Sequence, residues 1–499
     1  MCRCTWALRR FWIQTPSRRL LVFGNHGSYR RCRVQRNSAF RRRLVRVPFD
    51  LHHPLWVEDP NFDVIHHVRR VALPAPGGPE QFGEMIRRII STPLDRSRAL
   101  WEAWVIEGLS GNRFGLMLKF HHAAVDGVSG ASLLMSLFDQ SPEAAPYAPP
   151  QMPRPERIPS EMELIGHALR SRMKQPVEFA KVAGKTLFRF TDIVQRQLDP
   201  SQPVGGRPLN APRTAFNASV SARRKFATAR LSLSDIKEVK NALDVTVNDV
   251  VIAVAGGALR SYLQKKNALP NQSLTAVIPI SVRNDDEADQ ANNKVSAMWT
   301  SLGTDIADPI ARIKVINKST RGAKEEQQAM GAETLQSWAE LAAPRTFNMA
   351  MRFYSRMQLA DYHRPVHNLV ISNVPGPRFP LYLAGAKLEA IYPMGPVMEG
   401  SGLNLTVMSY LDSVDFGFLV DSELVPDVWE LAAASDEAFK ELRRAARRHE
   451  ARAAKIQATP EKEETTATKK NSSKSRTSSK STGAKKTSTR PTARKSRPS

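Results

Sequence analysis

The sequence predicts a mixed α/β protein (α+β in its layering), built as two halves joined by a linker. Three observations predict it. From about Phe40 to residue 450, short apolar runs of strand length alternate with longer stretches of helical periodicity. A Pro-rich interruption divides that span, with seven Pro in 141–159 and a second Pro/Gly-rich stretch at 199–212. The composition also changes abruptly at both ends of the span. The expected boundaries are an Arg-rich segment at 1–38, a first half at 39–145, a Pro-rich and helical linker at 146–212, a second half at 213–450, and a disordered basic tail at 451–499.

Each element has its own local signal. Pro74 to Pro79 mark a loop, and Phe82, Met85, Ile86 and Ile89 then recur at helical spacing. Trp104–Ile106 and Phe114–Phe120 flank the turn signal Ser110-Gly111-Asn112, which predicts a β-hairpin. The second strand runs into His121-His122, and Leu133, Leu134, Leu137 and Phe138 follow as a helix pattern. A basic amphipathic helix pair is expected over 160–196, broken near Pro176. In the second half, Thr246 and Asp249 have capping-box spacing ahead of an apolar helix through Val250, Val254 and Leu259. Strand-like runs recur at Leu274–Val282, Val295–Leu302, Leu369–Ser372, Leu403–Leu411 and Val414–Val420, with helices expected over 308–327, 333–357 and 426–450.

Charge narrows the function classes. The formal net charge of +25 sits at the two ends: residues 1–46 hold 13 Arg and no acid, and 451–499 hold 14 Lys plus Arg against 3 Glu. The body between them is close to neutral at +1, so a nucleic-acid-binding core is not supported. All three Cys lie at positions 2, 4 and 32, which leaves no disulfide framework or Cys-based zinc site for the body. The sequence shows no apolar run of membrane-spanning length and no signal-peptide pattern, and a cytoplasmic location is expected. Segment 1–38 reads either as an Arg-rich, acid-poor transit peptide or, as we prefer, as the product of a mis-set start or shifted frame.

The chemistry concentrates in His121-His122-Ala123-Ala124-Val125-Asp126-Gly127. A histidine leaving a strand end can take a proton from a hydroxyl near neutral pH; a carboxylate four residues on can hold the loop or the imidazole, and Gly allows a tight turn. This HHxxxDG segment resembles the signature of the CoA-dependent acyltransferase superfamily. The flanking blocks Pro93 to Glu102, Val105-Ile106-Glu107-Gly108, Asn248-Asp249 and Ser372 to Pro377 resemble, in order, those of the wax ester synthase/diacylglycerol acyltransferase family. The resemblance runs from about Phe40 to residue 450. It implies two chloramphenicol-acetyltransferase-like halves with a tunnel between them, acyl-CoA entering from one side and a long-chain alcohol or diacylglycerol from the other. It makes His122 the general base, with His121 beside it, and implies no acyl-enzyme and no cofactor beyond acyl-CoA as substrate. Asp126 and Gly127 become motif residues that shape the loop, and Arg283 the candidate partner of Asp126. Asn248 and Asp249 position a helix, and Trp101, Ser372 and Asn373 line the substrate.

Plainer readings stand beside these. His121 could simply be packed, Asn248-Asp249 could be only a helix start, and Ser372 to Pro377 only a strand and turn. Zinc fits poorly, since His122 and Asp126 have no third ligand in the pattern and there is no HExxH. Gly127-Val128-Ser129-Gly130 ends in Ala131, so a nucleophile elbow fails. Two departures from the family stand out: Ala99-Leu100-Trp101 replaces Pro-Leu-Trp, and 1–38 replaces the family's opening segment. The tail could be solvated only, could contact an anionic membrane or lipid inclusion, or could touch DNA. The rival functions are another condensing acyltransferase of the superfamily and an inactive paralogue that binds lipid surfaces or DNA.

Overall fold

The computed structural model describes residues 5–8, 37–124, 130, 133, 135–143, 157–173, 210–281, 295–330 and 344–458. In the first half, β1 (Thr5–Leu8), β6 (Arg113–His121), β5 (Trp101–Leu109) and β4 (Val68–Ala72) form one sheet in that order. A two-stranded ladder of β2 (Arg42–Val45) and β3 (Leu55–Glu58) lies apart from it. Helix α1 (Pro79–Ser91) precedes β5, and a second helix, α2, covers residues 161–173. Within 1–38, read from the sequence as a transit peptide or a mis-set start, β1 runs antiparallel to β6 with Thr5 opposite His121.

The hairpin β5–β6 forms where expected but is longer, because β5 pairs on past its apolar stretch, from Trp101 opposite Phe120 to Leu109 opposite Arg113. In β6, Phe114, Leu116, Leu118 and Phe120 enter one core while Met117 enters another, packed by Phe82 and Ile86 of α1. A strand covered on both faces reads as a continuous apolar run, which is why β6 shows no alternation. Gly115 lies on the α1 face; a Cβ there would come within 2.9 Å of the Phe82 ring.

The second half is a six-stranded sheet in the order β7 (Arg224–Ser232), β14 (Ser413–Asp421), β13 (Leu403–Tyr410), β10 (Leu369–Val374), β8 (Thr275–Ser281), β9 (Val295–Ser301). Pairing is parallel at β10–β13 and β10–β8 and antiparallel elsewhere. Helices α3 (Leu233–Leu243), α4 (Val247–Lys265), α5 (Pro309–Met330), α6 (Pro344–Arg356) and α7 (Val428–Ala458) complete it. The apolar residues of α4 surround its axis and are buried from Val250 to Leu259, as a helix without a polar face requires. Ile371, Leu405 and Val407 turn toward α4.

The segment after β10 ties the halves together. Leu381, Leu383 and Leu388, with Val374, Met408 and Tyr410, enter the same core as Trp101 and Phe120. The short pair β11 (Tyr382–Leu383) and β12 (Ala386–Lys387) lies in this segment, and Tyr382 bridges to Asp139. Helix α7 runs eight residues past the expected tail boundary at 450, to Ala458. The rest of that tail, most of the linker and the second helix expected within 160–196 lie outside the described residues. Among the described residues no single helix is long and apolar enough to cross a membrane.

Candidate active site

The His pair is presented by the last residue of β6 and the turn that follows. The His121 N–H donates to the Leu100 carbonyl at 3.0 Å, and its carbonyl accepts from Ala124 N–H at 2.8 Å. The His121 ring closes the same turn, since Nδ1 accepts from Ala123 N–H at 3.2 Å. A backbone N–H can only donate, so Nδ1 carries the lone pair and the proton of the neutral ring sits on Nε2. Burial first, then the charges of Arg96 and His122, pulls the His121 pKa down to about 4. His122 occupies the first corner of this turn and is half-buried. Asp126 and Gly127 lie outside the described residues.

Strand β6 is itself held in depth by Lys119, which shares the α1 face with His121. Its side chain is fully buried, and Nζ donates to the Ile89 carbonyl at 2.9 Å and to the Thr92 carbonyl, at the C-terminal end of α1. A cation among terminal carbonyls matches the negative end of the helix dipole. Glu102 lies 3.9 Å from the ammonium.

The second block opens α4. Thr246 is its N-cap, and Asp249 returns the bond to complete a capping box: Thr246 Oγ1 accepts from Asp249 N–H at 3.1 Å, and Asp249 accepts from Thr246 N–H at 2.9 Å. The Asp249 carboxylate also accepts from Thr246 Oγ1 (2.7 Å), Asn317 Nδ2 (2.8 Å) and Thr320 Oγ1 (2.7 Å). Burial alone would raise its pKa, but the bonds from Thr246, Thr320 and Asn317 outweigh it and hold the group below the usual carboxylate range. The carboxylate is therefore engaged in pinning α4 to α5. Asn248, one residue earlier, turns elsewhere and accepts from Asn373 Nδ2 at 3.4 Å.

That contact joins the second block to the third. Along β10 the side chains alternate, so Asn373 shares the α4 face with Ile371 while Ser372 lies on the opposite face with Val370 and Val374. Val374 enters the core that holds Phe120, the residue before the His pair. Residues 248 and 373 thus meet directly, while the His pair is related to them only through the core cluster that holds both Phe120 and Val374. Trp101, expected at the substrate, is largely occupied otherwise. It is buried, donates from Nε1 to the Phe40 carbonyl at 2.8 Å, and stacks on His67 with ring centroids 4.6 Å apart. It also borders a polar cleft with His66, Arg69, Asp95, Arg98 and Glu102. Arg283 lies outside the described residues. Among the described residues no three His, Cys, Asp or Glu side chains gather to hold a metal.

Residues 25–251 match the family model described as the wax ester synthase/diacylglycerol acyltransferase catalytic domain, and 291–443 match its C-terminal domain. The chain belongs to the wax ester synthase/diacylglycerol acyltransferase family. The first match opens at residue 25, within the stretch 1–38 that the sequence reading left unmatched. Among relatives of this acyltransferase family, the O-acyltransferase WSD of Acinetobacter baylyi is 34% identical over 77% of this chain and 81% of its own length. A Mycobacterium tuberculosis relative that carries a diacylglycerol O-acyltransferase name is 37% identical, over 82% of this chain and 80% of its own. The solved wax ester synthase/diacylglycerol acyltransferase from Marinobacter aquaeolei VT8 superposes with a TM-score of 0.60 at 28% identity, covering 89% of this chain and 95% of that one. The first condensation domain of the calcium-dependent antibiotic synthetase shares the fold, with a TM-score of 0.51 at 14% identity, 89% of this chain and 91% of that one being covered.

Sequence reasoning missed Lys119, Asn317 and Thr320. A lysine inside the apolar run Phe114–Phe120 was a visible signal, because a charge there must find partners or disrupt the strand. Asn317 and Thr320 carried no signal, since their partner is about 70 residues away.

Proposed function

We propose that this chain transfers a fatty acyl group from acyl-CoA to a long-chain alcohol or diacylglycerol, giving a wax ester or a triacylglycerol. His122 takes the proton from the acceptor hydroxyl as its oxygen attacks the thioester carbonyl. The tetrahedral intermediate collapses, the C–S bond breaks, and the CoA thiolate leaves and recovers the proton from the imidazolium. No acyl-enzyme and no resident cofactor are needed. The observation that carries this reading is the turn at 121–124, which sets His122 immediately beyond a half-buried, neutral His121 at the strand end. His121 acts as the fastener of that turn, and Asp126, paired with Arg283, secures the loop beyond it. Alcohol and acyl-CoA reach the histidine through a tunnel between the halves, with Ser372 on the face of β10 turned away from α4. The protein works in the cytoplasm and makes peripheral contact with an anionic membrane or lipid inclusion. The test is CoA release from palmitoyl-CoA with hexadecanol or dioleoylglycerol, followed by chromatography of the lipid. His122→Ala should lower turnover by about 10²–10⁴-fold with an unchanged circular dichroism spectrum. Near-normal turnover in that variant would sink the mechanism.

A further inference from the structure

Helix α6 is an apolar element that the described residues leave uncovered. None of its side chains is buried; Phe347, Met349 and Phe353 are 57%, 65% and 59% exposed, and Met357 just past its end is exposed as well. Its polar contacts include those of Ser355 Oγ, which donates to Glu399 at 3.1 Å, and of the Tyr354 hydroxyl, which meets His363 Nε2. Arg345, Arg352 and Arg356, spaced seven and four residues apart, fall on one stripe, and the helix contains no Asp or Glu. A helix with an apolar arc beside a purely cationic stripe is the pattern of an element lying in a lipid headgroup layer.

The neighbourhood extends this surface. α6 touches the turn at Pro48–Asp50, where Phe49 takes a left-handed φ of 60° and is 77% exposed. On the same segment, α2 rests Leu164 and Ala168 on Val47 while leaving Met162, Leu169 and Met173 exposed. Three elements meeting at residues 47–52 thus each display large apolar side chains, a concentration that a monomer in water does not ordinarily carry.

We propose that α6, with Phe49 at the adjoining turn, docks this protein on the surface of anionic phospholipid. Charge decides between occupants. A two-fold contact between copies would set one arginine stripe close to its own image, whereas anionic headgroups supply the complementary charge beside an acyl layer for Phe and Met. The inference rests on the peripheral-contact reading above and locates that contact in the folded body instead of the basic tail.

The test is co-sedimentation of the full chain with phosphatidylcholine vesicles, with and without phosphatidylglycerol. Two triple variants are compared, Phe347→Ser/Met349→Ser/Phe353→Ser and Arg345→Glu/Arg352→Glu/Arg356→Glu. The unaltered chain should pellet with phosphatidylglycerol vesicles, and each variant should bind at least about tenfold more weakly. Both should keep the parent melting temperature, since the replaced side chains are exposed; the charge variant tests the proposal without altering an apolar residue. Undiminished binding by both variants would overturn the assignment to α6 while leaving peripheral contact standing. If the unaltered chain fails to bind, both fall. A serine variant that turns a dimer into a monomer while still binding vesicles would reassign the patch to a second copy.

Discussion

His121 shows how one ring can serve geometry and chemistry together. Its Nδ1 accepts the Ala123 N–H that closes the turn, and burial keeps the ring neutral. Asn can place its side-chain oxygen near the position of Nδ1, so His121→Asn should retain most turnover, within about tenfold, while His121→Ala should lose more by loosening the turn. Equal loss in both variants would mean that the ring has a chemical task beyond the turn. Asp249 makes the contrasting case. Its carboxylate collects hydrogen bonds from three side chains and one backbone N–H, so removing it strips a cap and leaves buried donors unpaired. Asp249→Ala should cost about 2–4 kcal/mol, read from the urea midpoint. A variant of full stability but without turnover would instead place this carboxylate in the chemistry. The capping box was legible at this scale, since it spans four residues. The Asn248–Asn373 contact was not, because nothing local marks two amides 125 residues apart as neighbours.

Among the elements of the second half, strands were read more closely than helices: β7 and α3 were not anticipated, α7 runs past its expected end, and residues 333–343 of an expected helix lie outside the described residues. Five strand-like runs coincide with β8, β9, β10, β13 and β14 to within two residues, because each is a short apolar block between turn residues. Less legible was the segment after β10, whose Leu381, Leu383 and Leu388 leave their own half to join the core around Phe120. Its apolar residues look the same whichever half they enter. Trp101 shows a packing role that its motif block did not signal: its ring is buried against Phe40 and His67. Helix α4 permits a test in which packing and propensity oppose each other. Gly256 lies mid-helix, where Ala would ordinarily gain about 1 kcal/mol. A Cβ at this position would stand 2.4 Å from the Leu302 carbonyl oxygen, a backbone atom with no easy retreat. Gly256→Ala should therefore destabilise the protein, by about 1–3 kcal/mol in chemical denaturation. A gain in stability would show that α4 can draw back from the loop after β9 at little cost.

Across the whole molecule, histidines shielded from water tie stability to pH. Burial, the largest effect in each case, lowers the pKa of His67, His121 and His367, the last two to about 4. His367 is the plainest example, because both ring nitrogens are buried without a hydrogen-bond partner. A folded-state pKa below the unfolded value means that the unfolded chain takes up protons first as pH falls. Their contribution is complete above about pH 6.5, the ordinary histidine value, and for His121 and His367 it is lost as pH drops toward 4. The urea midpoint should accordingly be nearly level above neutrality and decline through that window, before most carboxylates protonate. His367→Leu removes one of these groups and an unsatisfied buried donor, so at pH 7 it should be neutral or stabilising and should flatten the decline. An unchanged slope in that variant would show that His367 already finds a partner or water in solution, and would shift the acid sensitivity onto His67 and His121, whose rings hold the Trp101 carbonyl and the turn at the His pair.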